Sequence, residues 1–221
     1  RSEMMVMEML STNEWKRPFY FAVTIGNDYH LGLDPYLELT GLAYRITPER
    51  SKDGRPRVNT EVMYDNMLHK FKYGNMNVPG IYIDENTMRM CRTHRMMFFE
   101  LIEALYNEGK RDKCLEVLDF AEEVLPGYNI PYDYTSASMA QYYYQLGEIE
   151  KGNAIMTKVA DTCAEYLMWG ASLDKDNRAA AQSTLGHQSA ILGYVLQTLE
   201  RYQQKDLFNQ YYDIYAQYAS R

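Results

Sequence analysis

From about Glu85 to its end the chain repeats apolar residues at helical spacing, and glycines interrupt that rhythm where two helices would turn back on each other. In Met96 to Pro126, MMFFELIEALYNEGKRDKCLEVLDFAEEVLP, Phe98, Leu101, Ile102 and Leu105 supply one buried stripe. Gly109 falls in the interhelical turn, Cys114 takes a small contact position, Leu118 and Ala121 continue its face, and Pro126 closes the unit. Ser136 to Cys163 repeats the plan, with Gly147 in the turn and Gly152 at the close-contact position. A third unit, Ala179 to Ala219, is degenerate. Ile191, Tyr194, Val195 and Leu199 mark one helix and Leu207, Tyr211, Ile214 and Tyr218 the last, without a turn glycine. Such a pattern commits this half of the chain to burying helix against helix.

The unit length, the small residues at helix contacts and the closing proline resemble tetratricopeptide repeats. Terminal repeats of such arrays are commonly atypical, as the third unit is. The segment before them reads differently. Glu3 to Leu10 suits a short helix, and the run Trp15-Lys16-Arg17-Pro18 ends it, because the residue before proline is pushed out of the α region. Phe19 to Ile25 has the aromatic and β-branched composition of a strand. Asp34-Pro35 predicts a helix start and Gly41 its end, giving a short helix over Pro35 to Thr40. Leu42 to Thr47 predicts a second strand, Thr60 to Tyr73 another helix, and Ile81 to Ile83 a brief extended segment. The expected fold is therefore mainly α, with tetratricopeptide-like helical hairpins preceded by a small α/β unit holding a short two-stranded sheet. The expected divisions are 1–48 for that unit, 49–88 for a connector with one helix, and 89–221 for the hairpins, together one compact body.

The chain has 221 residues, 46% hydrophobic and 24% charged, enough to bury a real core. A net charge of −7 argues against a general nucleic-acid binder, which needs a cationic face. Lys52 to Arg57, KDGRPR, is the best basic patch and reads as an exposed turn. Cys91, Cys114 and Cys163 are widely spaced with no CxxC, so they read as small buried hydrophobes. The longest apolar runs fall far short of the roughly 20 residues that span a bilayer. The chain begins at Arg1 rather than Met, as expected of an excised piece or a processed product. Its 21 tyrosines suit either helix packing or a recognition face, and their helical spacing favours packing.

No phosphate-binding loop, dinucleotide fingerprint, GxSxG elbow or HExxH is present. Asp28, His30 and Asp34 in NDYHLGLD are the nearest to a metal-ligand cluster, but turn formation accounts for them in a loop rich in Asn, Asp and Gly. No catalytic residue, metal ligand or cofactor is assigned. The cations Lys16 and Arg17 have two readings. They protect a short edge strand, or with Trp15 and Tyr20 they form a docking face for a lipid headgroup, a membrane surface or the rest of a larger protein.

The stretch NEWKRPFYFAVT, then LGLDPYLELTGLAYRITP, FKYGNMN and GIYIDENTMR, resembles the C-terminal region of a bacterial multi-pass membrane family known as domain of unknown function 2723. The motifs that carry the resemblance are N-x-W-K-R-P-x-Y-F and G-L-A-Y-R-x-x-P, and it spans roughly residues 3–110. Members of that family look like C-type glycosyltransferases, with a membrane-embedded catalytic half that uses a lipid-linked sugar and a soluble C-terminal half. The catalytic acid of such enzymes lies between membrane helices, so none is carried over to a position here. The resemblance implies a non-catalytic interaction module on the periplasmic side of an inner-membrane parent, without membrane insertion of its own. Its partners would be the membrane-embedded part of that parent and a protein acceptor, met by Trp15, Lys16, Arg17 and Tyr20 and by a groove to which Tyr142, Tyr143 and Tyr144 contribute. Helical periodicity points at least one of those three rings into the core. The alternative is a free-standing periplasmic or surface glycan-binding helical-repeat protein.

Overall fold

The computed structural model describes residues 2–218. Eight α-helices dominate these residues, with one small sheet near the start. Helix α1 (Ser2–Asn13) leads to strand β1 (Tyr20–Ala22), and two 3₁₀ turns (Asn27–His30 and Asp34–Tyr36) precede β2 (Leu37–Leu39) and β3 (Ala43–Ile46). Strand β4 (Arg57–Val58) and helix α2 (Thr60–Asp65) follow, the latter running into one wide π turn over Asn66–Lys70. Helices α3 (Glu85–Asn107), α4 (Arg111–Val124), α5 (Tyr134–Gln145), α6 (Ile149–Ser172), α7 (Lys175–Arg201) and α8 (Lys205–Tyr218) complete the chain.

The sheet has four strands in the order β1-β3-β2-β4. Strands β1 and β2 pair antiparallel with β3, while β4 joins β2 in parallel. The two strands expected from sequence are β1 and β3. The expected helix over Pro35 to Thr40 does not form: one 3₁₀ turn is followed directly by β2, all three residues of which are buried. Leu37 fills the core beside Phe21 and Ile46, and sheet pairing on both sides of β2 outweighs the local helix-start signal. Gly41 serves the β2–β3 turn instead of ending a helix. It sits at φ 139°, and a Cβ there would meet the Phe71 ring at 2.9 Å. Ile81 to Ile83 joins no sheet.

By contact the chain forms two units, Arg1–Met76 with Glu85–Val124 and Asn77–Asp84 with Leu125–Arg221. In the first, α3 and α4 make the hairpin expected around Gly109, which turns at φ 75°. Phe98, Leu101, Ile102, Leu105, Cys114 and Leu118 are all buried there. Asn59 caps α2 by accepting from the Val62 N–H at 3.1 Å, and Lys110 Nζ ties the α3–α4 turn to Glu61 at 2.6 Å. In the second unit, α5 and α6 form the hairpin around Gly147, and α7 packs against both α6 and α8. A capping box starts α5: Asp133 accepts from the Ser136 N–H while the Ser136 hydroxyl accepts from the Asp133 N–H. The third turn, lacking glycine, places Gln203 in the left-handed region at φ 58°. The end expected for it at Ala219 lies outside the described residues.

Candidate functional site

Helix α1 ends on Asn13, and the next two residues, Glu14 and Trp15, take left-handed backbone at φ 49° and 59°. Bulky side chains seldom adopt that conformation. Here the Asn13 carboxamide holds it, donating from Nδ2 to the Arg17 carbonyl at 2.7 Å and accepting at Oδ1 from the Arg17 N–H at 3.2 Å. The Lys16 N–H donates to the Asn13 carbonyl at 2.9 Å, so the loop is closed on three bonds. Its consequence is to hold Trp15 outward, 59% exposed. The first residue of the N-x-W-K-R-P motif is thus the clamp, and the third is what it displays.

Sheet pairing then joins the two motifs that carry the family resemblance. Tyr20 pairs with Arg45, Phe21 with Tyr44, and Ala22 with Ala43. Trp15, Lys16, Arg17 and Pro18 from one motif and Arg45 and Pro48 from the other line a single cleft of 240 Å³. An adjoining apolar pocket of 260 Å³ shares Trp15, Ile46 and Pro48 with it and adds Leu10 and Leu33. Thr47, between the two, is fixed: its N–H and hydroxyl both donate to the Tyr36 carbonyl, and Arg57 donates to its hydroxyl oxygen.

The charges of the cleft are unevenly matched. Lys16 pairs with Glu14 at 2.5 Å, both well exposed, so the bond is weak in water. Arg17 and Arg45 make no side-chain hydrogen bond or ion pair with any described residue. Other cations of this unit do find carboxylates: Arg57 reaches Glu38 and Glu49, and Lys110 and Lys113 reach Glu61. Arg57, half-buried in β4, is therefore paired with carboxylates rather than part of a free basic turn over Lys52 to Arg57.

The structure brings Trp15, Lys16 and Arg17 together. Tyr20 is exposed but faces a different depression of 290 Å³, with Arg45 shared between the two. The tyrosine run divides. Tyr143 and Tyr144 are 2% and 4% exposed and Tyr142 is half-buried, so Tyr143 and Tyr144 are core residues and do not line a groove. For Tyr144 the cause is the α5–α6 contact: its ring lies over Gly152 and its hydroxyl donates to Asn153 Oδ1 at 2.8 Å, while Asn153 Nδ2 donates to Gln204 Oε1, just ahead of α8, at 2.9 Å. Arg45 and Asn13 were missed as site residues. The motifs contain both, but only the strand register and the loop clamp give them roles.

His30 is buried between Phe21 and Tyr44, its Nδ1 2.8 Å from Asp34 Oδ1. That bond explains the spacing of NDYHLGLD. Among the described residues no group of three His, Cys, Asp or Glu side chains is placed to hold a metal ion. No helix among them is long and apolar enough to cross a membrane.

A family model described as TMEM260-associated domain 2 matches residues 1–67. This segment contains both motifs and the whole cleft, and the description points to association with a membrane protein. The match does not extend to the bacterial multi-pass family that the motifs resemble. Comparison with curated proteins and with solved structures gives no match.

Proposed function

We propose that this chain is a non-catalytic, extramembrane interaction module of a multi-pass membrane glycosyltransferase-like protein, which it serves by positioning protein acceptors. The observation that carries this reading is the cleft. Trp15, Arg17 and Arg45 line it, and Tyr20 faces the neighbouring depression that Arg45 shares. All four come from the two motif stretches, lie within the segment matched by the membrane-protein-associated model, and engage no other described side chain by hydrogen bond, ion pair or ring contact. Exposed Trp, Tyr and Arg are the side chains that dominate recognition surfaces. We assign this face to the membrane side of the parent protein, with the domain on the periplasmic side of the inner membrane.

A second exposed aromatic group supports the acceptor side. Tyr166 and Trp169 on α6 form an edge-to-face pair with centroids 6.3 Å apart, and both are exposed. Exposed Tyr and Trp offer large amphipathic contact area at low conformational-entropy cost, which suits recognition of a protein partner. The test is acceptor glycosylation by the intact parent in native membranes. Tyr166→Ser/Trp169→Ser is expected to lower it several-fold at unchanged parent abundance. Wild-type glycosylation by that variant and by Trp15→Ala/Arg17→Ala would remove the basis for the proposal.

A further inference from the structure

Helix α1, SEMMVMEMLSTN, is apolar on both sides. Val6 and Leu10 pack inward against Phe21, Leu37 and Ile46. Met4, Met5, Met7 and Met9 remain 77%, 65%, 53% and 50% exposed. The methionines flank an outward side that also carries exposed Glu8, Ser11 and Thr12, so apolar and polar groups share this surface. Four exposed methionines on one short helix are more apolar area than water favours. At the end of this helix stands the Trp15 indole, followed by Lys16 and Arg17, with Arg45 across the ladder. Along the chain the order is therefore methionine-rich helix, indole, then guanidinium groups without an ion pair.

That order matches one kind of partner. A protein groove could accept the methionines, but the two unmatched guanidinium groups call for anions beside the apolar phase. An anionic bilayer surface supplies both, with phosphates at the headgroup level and acyl chains just below. Tryptophan prefers the boundary between them. The apolar pocket and the cationic cleft meet at Trp15, which suits a phosphate headgroup in one and the first methylenes of its chain in the other. Glu3, Glu8 and Glu14 lie on the same segment and limit the attraction, so binding is weak and salt-sensitive.

We propose that α1 and the Trp15–Lys16–Arg17–Arg45 cleft form a peripheral docking face for an anionic lipid surface. This rests on the reading of the cleft as the membrane side of the module and specifies lipid as what it touches. The methionines and Trp15 enter the headgroup–acyl boundary, Arg17 and Arg45 take lipid phosphates, and no segment crosses the bilayer.

The test is co-sedimentation of the whole 221-residue chain with vesicles of phosphatidylcholine alone or of an equimolar phosphatidylcholine–phosphatidylglycerol mixture. Binding is expected only to the mixed vesicles, and salt is expected to weaken it. Arg17→Gln/Arg45→Gln, at two exposed positions and with its fold checked by circular dichroism, should bind roughly 25-fold more weakly, about fivefold for each guanidinium removed. In a Trp169→Phe background, Trp15 emission should shift to the blue on binding. Equal binding to both vesicles, or undiminished binding by the double variant, overturns the proposal. So does release by inorganic phosphate at millimolar level, which assigns the cleft to soluble phosphate. A dimer abolished by Met4→Ser/Met7→Ser without vesicle binding assigns the face to a second copy. Because the vesicle experiment uses this chain alone, its failure beside a positive glycosylation result would remove the lipid contact and leave the module reading in place.

Discussion

Gly152 shows how one absent methyl group sets a helix contact. A Cβ there would stand 2.7 Å from the Tyr144 ring, and that ring is held by Asn153 and stacked on Tyr202 at 4.9 Å. Gly152→Ala is therefore expected to destabilise the protein by about 1–3 kcal/mol in urea unfolding, although it improves helix propensity. Burial raises the thiol pKa of all three cysteines, to about 11 for Cys114 and about 12 for Cys163, because desolvation opposes the thiolate. All three should resist a thiol reagent in the native protein and react together once it unfolds. Rapid labelling of one in buffer would contradict the packing at that cysteine.

Between elements, the α2 contact with the α3–α4 turn is electrostatic at its edge. Lys110 and Lys113 hydrogen-bond to Glu61 and hold its carboxyl at about 2, below its ordinary 4.5. A depressed carboxylate stabilises fully above the unfolded value, and the contribution is lost as pH falls through the folded one. Stability should thus decline between about pH 4.5 and 2, and Glu61→Gln should flatten that part of an acid titration followed by circular dichroism. The pair is exposed, so added salt should shrink the difference. The α7–α8 turn has the opposite defect. Gln203 adopts φ 58°, where a side chain costs energy and glycine does not. Gln203→Gly is expected to stabilise the protein by up to about 1 kcal/mol in thermal unfolding.

In the molecule as a whole, the aromatic residues divide by role. Tyr143, Tyr144 and Tyr211 fill helix contacts while Tyr20, Tyr29, Tyr82 and Tyr166 are exposed, and the two tryptophans, Trp15 and Trp169, are 59% and 49% exposed, one in each unit. Native tryptophan emission should already resemble that of the unfolded chain and be readily quenched by acrylamide, so unfolding is better followed through the far-ultraviolet signal. A strongly blue-shifted native spectrum would mean that one indole is covered. The helical half was legible in the sequence because 3.6-residue periodicity and turn glycines act over a few residues: Gly109 and Gly147 turn at φ 75° and 85° where the pattern placed them. Strands β1 and β3 were legible from composition, and the motifs pointed to Trp15, Lys16 and Arg17. By itself the sequence determined a mainly helical chain with hairpin turns and an aromatic, cationic stretch ahead of its first strand. The tertiary structure decided what depends on partners distant along the chain. Pairing with β3 and β4 made Leu37 to Leu39 a buried strand despite the helix signal at Asp34-Pro35. Packing on Gly152 took Tyr144 out of any groove, and the β1–β3 register placed Arg45 beside the loop of Trp15. Local pattern fixes which element forms when the backbone can satisfy itself within the element; strand pairing and side-chain burial are settled only by the neighbour that supplies the other half of the contact.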